Sequence, residues 1–408
     1  MRPTALFLAV LTLLCGPVQP LTAQATARII AIGDIHGSID GIKSILKVTG
    51  LIDGTNKWSG GRTQLLQTGD YMDRGEHTRA VLDLLMALES QAKDAGGRAF
   101  ALLGNHEVMN LLGVTRDVSP AAFASFVDTR SAARRENAFT AAEKIRGSGA
   151  DDRTAWMDAH PLGLVEYREA FKPDGRYGRW LRSKKIVAEI DGTVFLHGGI
   201  NLAFTTDSLD DINARARREI AQWDDAVKLL EGRKLVLPFS TLPEVIAAAD
   251  AELTRLEAAH KKRELSADEI RTASLLLSAA NIDTSSLLHA DGPLWFRGYS
   301  TWTDDEGTPL MAALLRKYRA RRFVTGHTVQ QTGRITRRFN DALFLIDTGM
   351  LDGRFYPRGR ASALEITGEA VKTVYGDAAE PVSRVGVRPR FGSASGRPRL
   401  RIGWTAQR

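Results

Sequence analysis

Five short blocks of this chain carry residues fit for metal chemistry. They read Gly33-Asp34-Ile35-His36-Gly37, Gly69-Asp70-Tyr71-Met72-Asp73-Arg74-Gly75, Gly104-Asn105-His106-Glu107, His197-Gly198-Gly199 and Gly326-His327-Thr328, in a chain with only 8 His. Carboxylate, amide and imidazole ligands without thiolate suit Mn, Fe or Zn. Residues i and i+2 of a strand point to one side, so Asp34 and His36 aim at a single ion. Asp70 can bridge to a second ion, which Asn105, His197 and His327 complete. Two ions about 3.5–4 Å apart clamp phosphoryl oxygens and hold a bridging hydroxide for in-line attack. His106 adjoins a ligand but points elsewhere, which suits a general acid for the leaving alkoxide. Asp73 is the carboxylate that orients it and holds it protonated. Arg74 offers a planar fork of donors for phosphate oxygens. Taken singly, an Asp at a strand end is more often a turn residue. Five such blocks together make coincidence a poor account.

The elements that must position these blocks alternate in type. "ARIIAI", "TQLLQTGD" and "AFALLGNHE" read as buried strands ending in a Gly-polar step, with helical spacing in "GIKSILKVTGLI" and "TRAVLDLLMALESQAKDAG" between them. "KIVAEIDGTVFLHGG" reads as a hairpin turning at Asp191 and Gly192, and "RRFVTGH" and "LFLIDTG" as two more strands. This is an α/β pattern, whose ligands bind at the carboxyl ends of strands. Two helical stretches interrupt it, at about 119–182 and 208–288. Ser208 with Asp211, and Ser266 with Glu269, fit helix-opening capping boxes.

The chain has 408 residues, 43% apolar and 25% charged, enough for a sizeable core. Its net charge of +7 is uneven, because seven Arg and no acid lie between Arg384 and Arg408. Setting those and Arg2 aside leaves a nearly neutral body, which argues against a specific nucleic-acid partner. Residues 1–25 have the pattern of a cleaved secretory signal peptide, so the expected location is the periplasm. The apolar run there is too short to span a bilayer comfortably, and the mature form is expected to have no transmembrane segment. Cys15 is the only cysteine. The mature chain therefore has no disulfide, thiolate site or cysteine nucleophile. The expected division is a catalytic domain over 26–376 and a basic tail over 377–408, which reads as disordered.

The five blocks in this order resemble the calcineurin-like metallophosphoesterases. Asp-Arg-Gly after the second block's first Asp, and Glu after Gly-Asn-His, resemble the phosphoprotein (serine/threonine) phosphatase branch. "GNHEVMN", "LHGGI", "GPLWFRGY" and "VTGHTVQ" resemble its Shewanella-like members. The resemblance covers roughly residues 28–373. It implies two mixed β-sheets sandwiched between helices, with the helical insertions forming a cap. It also implies Asp34, His36 and Asp70 on one metal, Asp70, Asn105, His197 and His327 on the other, and His106 with Asp73 as the acid pair. Arg74 and Arg297, the latter in "WFRGY", are implied as the phosphate-binding pair. Met72 stands where Val is usual, and His77 is an unusual neighbour that can face the substrate cleft.

The expected activity is metal-dependent hydrolysis of phosphomonoesters, on phosphorylated proteins, using two divalent or trivalent ions. An exported phosphatase of small phosphate esters, nucleotides or dinucleoside polyphosphates is the alternative. A non-catalytic metal or phosphate-binding module would have lost a ligand or the acid, and neither is lost. Oligomeric state and metal identity do not follow from the residues.

Overall fold

The computed structural model describes residues 28–147, 152–351, 353 and 355–376, so the expected leader and basic tail lie outside the described residues. Ten strands are found there: β1 (Ile29–Ile32), β2 (Gln64–Gln67), β3 (Arg98–Ala101), β4 (Val187–Ile190), β5 (Thr193–Leu196), β6 (Arg322–Thr325), β7 (Thr336–Arg338), β8 (Leu343–Leu345), β9 (Ser362–Thr367) and β10 (Ala370–Tyr375). They form two five-stranded sheets, ordered β10-β9-β1-β2-β3 and β4-β5-β6-β8-β7. β1, β2 and β3 are parallel, as are β5, β6 and β8, while β9, β10, β4 and β7 pair antiparallel. The carboxyl ends of the parallel strands carry the sequence blocks.

Strand side chains alternate between two cores, as period-2 geometry requires. Ile29, Ala31, Leu66, Phe195, Val324 and Phe344 meet between the sheets. Their neighbours Ile30, Ile32, Leu65, Val194, Leu196, Phe323 and Leu343 face the helices. Both faces are covered, so the residues at the centre of these strands are apolar on either side.

The helices follow in order: α1 (Ile39–Val48), α2 (Thr78–Asp94), α3 (Asn105–Leu111), α4 (Pro120–Ala124), α5 (Ser131–Arg146), α6 (Arg153–Ala159), α7 (Leu164–Phe171) and α8 (Arg176–Arg182). Then come α9 (Leu209–Gly232), α10 (Leu242–His260), α11 (Ala267–Ala280), α12 (Gly298–Thr301) and α13 (Asp304–Tyr318). The first interrupting stretch is α4–α8 and the second α9–α11. Ser208 Oγ accepts from Asp211 N at 3.2 Å, and Ser266 with Glu269 forms the full capping box. Asp191 and Gly192 have φ of +48° and +71°, the turn that a twisted two-residue hairpin requires. One detail differs from the sequence reading. Asn105 and His106 do not continue β3 but open α3, with Gly104 as the residue before it. Among the described residues no helix is long and apolar enough to cross a membrane.

Candidate active site

The loops after β1 and β2 are laced together through main-chain bonds. Ile35 N and His36 N both donate to Asp70 O at 2.9 and 3.0 Å, and Gly75 N donates to His36 O at 3.0 Å. The sheets are tied by His327 N, which donates to the Asp34 carboxylate at 3.0 and 3.2 Å. His36, Asp70, Asp73, Arg74 and His327 all have φ between +48° and +69°. Non-glycine residues pay for that region, and such strain collects at functional sites.

Glu107 holds the most strained of these loops from beneath. Fully buried, it accepts from Asp70 N at 2.7 Å and Gly104 N at 2.8 Å with Oε2, and from Tyr71 N at 3.0 Å and Met72 N at 3.2 Å with Oε1. Gly104 must be glycine, because a Cβ there would lie 2.2 Å from Asp70 Oδ1.

Asp70 lies at the centre of the cluster. Its Oδ2 is 3.7 Å from His36 Nε2, 3.2 Å from His197 Nε2 and 3.8 Å from His106 Nε2. Ligand atoms of His36, Asp70 and His106 lie within 4.8 Å of one another, and so do those of Asp70, His197 and His327. The two trios therefore share one carboxylate. Asp34 Oδ2 is 3.8 Å from His36 Nε2, and Asn105 Oδ1 is 2.9 Å from His197 Nε2.

The far ring nitrogens tell which imidazoles suit a metal. His36 Nδ1 faces Met72 O at 2.9 Å, His197 Nδ1 faces Thr68 O at 3.2 Å, and His327 Nε2 faces Trp295 O at 3.1 Å. A carbonyl only accepts, so each of those nitrogens carries the hydrogen. The opposite nitrogens turn inward, the arrangement in which an outer hydrogen bond fixes a metal-ligating tautomer. His197 Nε2 then faces Asp70 Oδ2, Asn105 Oδ1 and His327 Nδ1, the last at 3.1 Å. A group so surrounded by acceptors needs a proton or a cation among them. Burial, with Arg74 alongside, lowers the His36 imidazole to about 3, and burial lowers that of His327 as well. Burial and the charges of Asp347 and Asp70 raise the Asp34 carboxyl well above its ordinary value. These carboxylates, neutral imidazoles and an amide oxygen, turned toward one space, fit divalent metal ions.

His106 differs from the other three. Its Nδ1 meets Asp73 Oδ2 at 2.9 Å, so its outer partner is a carboxylate instead of a carbonyl. Burial opposes its charge, but Asp70 and the bond to Asp73 outweigh burial and push the imidazole up to about 9. That favours a proton donor over a ligand, although His106 reaches the same space. Asp73 is itself held by Asn110, whose Nδ2 donates to both carboxylate oxygens at 2.9 and 3.0 Å. Asn110 Oδ1 accepts from Tyr167 at 2.7 Å.

Arg74 projects its fork at this cluster. Nη2 lies 3.1 Å from His106 Nε2, and Nη1 donates to His36 Nε2 at 2.8 Å and to the Tyr356 hydroxyl at 2.6 Å. Arg297 stands beside His327 instead, donating to its carbonyl and to Thr328 Oγ1, both at 3.1 Å. His77 lines a cavity of about 640 Å³ next to Arg74, with Ile39, Met350, Leu351 and Phe355 as its apolar wall. The first helical insertion reaches this cavity through Ser119 and Pro120, whereas no residue of α9–α11 lines it.

Sequence reading missed Asn110, Tyr167, Tyr356 and the clamp made by Glu107. Asn110 sits four residues after His106, one helical turn on, which was the available signal. Tyr167 and Tyr356 reach the site only through the fold.

A family model described as calcineurin-like phosphoesterase matches residues 27–331. Shewanella-like protein phosphatase 1 of Plasmodium berghei is 25% identical over 350 residues, 85% of this chain and 74% of that protein. Shewanella-like protein phosphatase 2 of Arabidopsis thaliana is 31% identical over 202 residues, 47% of this chain and 51% of that one, so this match spans about half of each. Among solved structures, a cold-active protein-tyrosine phosphatase of a psychrophilic Shewanella has a TM-score of 0.54 at 23% identity. It covers 86% of this chain and 78% of the other, a likeness of fold.

Proposed function

This chain belongs to the calcineurin-like phosphoesterase family, and on that premise we propose that it is a metal-dependent phosphomonoesterase of the protein-phosphatase type. The observation that carries the reading is the single buried carboxylate, Asp70, set between His36 with Asp34 on one side and His197 with Asn105 and His327 on the other, beside Arg74 and the His106–Asp73 pair. Asp34, His36 and Asp70 would hold one ion, and Asp70, Asn105, His197 and His327 the other. Bound there, Mn, Fe or Zn ions supply Lewis-acid polarisation of the phosphoryl oxygens and activation of water for in-line attack.

The chain's own residues do the rest. Arg74 grips phosphate oxygens, and Arg297 approaches from the side of His327. His106 directs Nε2 into the cluster and gives its proton to the leaving oxygen, while Asp73 and Asn110 keep the ring oriented. The likeness to a Plasmodium relative named as a protein phosphatase supports a protein substrate, and the cavity beside Arg74 has room for a side chain and its neighbours. We further propose that residues 1–25 are a leader and that the enzyme acts in the periplasm.

A panel of phosphopeptides, nucleotides and small phosphate esters with Mn supplied tests the substrate class. Phosphopeptide hydrolysis with the highest kcat/KM supports the reading. Preference for nucleotides or small esters replaces the substrate class and keeps the chemistry. No turnover of any of them despite bound metal refutes the enzyme.

Tyr356→Phe removes the hydroxyl that braces Arg74. The expected loss is about 1 kcal/mol, a rise of roughly fivefold in KM with kcat nearly unchanged. Steady-state kinetics on one phosphopeptide checks this, and an unchanged KM would show that the hydroxyl does not set the fork.

A further inference from the structure

Helix α3 is short for the work it does. Its seven residues carry Asn105 and His106 at one end and Asn110 near the other. So short a helix is marginal without tertiary contacts. The first helical insertion supplies them at the far end, where consecutive residues of α7 take hold of Asn110. The Tyr167 hydroxyl donates to Asn110 Oδ1 at 2.7 Å, and Arg168 Nη1 donates to Asn110 O at 2.9 Å. That carbonyl lies in the last turn of α3, where helix carbonyls lack partners within the helix. Gly113 N is its other donor, at 3.2 Å.

The bond from Tyr167 decides which end of the Asn110 amide meets Asp73. Nδ2 is engaged with both Asp73 oxygens at 2.9 and 3.0 Å and with His106 O at 2.9 Å. Oδ1 can only accept, and the Tyr167 hydroxyl donates to it. Turned over, the amide would set Oδ1 against the Asp73 carboxylate, acceptor to acceptor. The hydroxyl therefore fixes the amide and the amide fixes Asp73, whose Oδ2 meets His106 Nδ1 at 2.9 Å.

The phenol is itself firmly placed. Tyr167 is fully buried, with Phe123 and Phe126 edge-on to its ring at 5.2 and 5.1 Å and Phe171 at 4.5 Å. Gly163 precedes α7 at a φ of +90°, and a Cβ there would come 2.0 Å from Phe123 O, so α7 starts directly against α4. An insertion expected to form a cap thus also supports the acid pair from behind.

We propose that Tyr167 is a positioning residue for proton donation. Through Asn110 and Asp73 it sets the His106 ring, so the first insertion governs how well the enzyme expels leaving groups that need a proton. This rests on the acid role given to His106. Kinetics of the Mn-supplied enzyme on phosphate esters of graded leaving-group basicity, from nitrophenyl phosphate to an alkyl phosphate, test it. Tyr167→Phe keeps the ring and removes the donor. Its kcat should fall about fivefold or more on the alkyl phosphate, the worth of one hydrogen bond, and less than about twofold on nitrophenyl phosphate. The plot of log kcat against leaving-group pKa should steepen. In the His106→Asn background, Tyr167→Phe should add less than about twofold on either ester, because the two residues act along one path. Phe123→Leu loosens the same packing and keeps the hydroxyl, so it should lower Tm without the contrast between esters. Should Tyr167→Phe not fold, Arg168→Met, which releases the Asn110 carbonyl, should show that contrast. Equal loss on both esters, an undiminished effect without His106, or the same contrast in Phe123→Leu would overturn the positioning role alone. If His106→Asn itself treats both esters alike, the acid role falls and this proposal with it.

Discussion

His106→Asn is expected to slow hydrolysis of alkyl phosphates by about 10²–10⁴-fold, the range over which a positioned general acid acts. Nitrophenyl phosphate should be affected far less, since its leaving group departs without a proton. The contrast follows from the partners of the four clustered imidazoles. His36, His197 and His327 each rest their outer nitrogen on a carbonyl, which places the hydrogen there and turns the inner nitrogen's lone pair toward the cluster. His106 rests on the Asp73 carboxylate, which favours a proton. If His106 were a ligand instead, its loss would lower both substrates alike, together with the bound metal. Metal content measured on the same preparation separates the two, and equal loss on both substrates would remove the acid assignment.

Glu107→Ala is expected to cost at least about 3 kcal/mol of folding stability, since each buried donor it orphans costs about 1–3 kcal/mol. The carboxylate serves four amides at once, from Asp70, Tyr71, Met72 and Gly104. Its removal leaves those N–H groups buried and unpaired, and each orphaned donor is penalised. Asp70, at a φ of +57°, then keeps only the bonds from Ile35 N and His36 N to its carbonyl and from His106 N to its carboxylate. Glu107→Gln keeps the shape but turns an NH₂ group toward two of the donors, so it should recover only part of the loss. Urea denaturation gives the free energy. A change below about 1 kcal/mol would mean that the clamp matters little.

The strands under the site were legible because each couples an apolar run to a Gly-polar step. That signal marks β1, β2, β5, β6 and β8, whose ends bring Asp34, Asp70, His197, His327 and Asp347 to one edge. It misled at Asn105, where the run of "ALLGNHE" hides a helix start, because Gly104 breaks the strand before the polar residues begin. β9 and β10 carry no such step, and their place beside β1 is set by pairing over more than 300 residues. The supports of the site were less visible for the same reason. Tyr356 reaches Arg74 across 282 positions and Tyr167 reaches Asn110 across 57, and spacing along the chain holds no record of either. Glu107 was in plain view within its block. Its work became clear only with the loop it holds.

The proposed two-ion centre depends on one carboxylate, Asp70, serving both ions. Metal-to-protein stoichiometry of the purified chain, beside that of Asp70→Asn, tests it most directly. Two ions per wild-type chain, falling below one in Asp70→Asn with activity lost, is the predicted result. A single ion in the wild type, or two ions retained by Asp70→Asn, would contradict it.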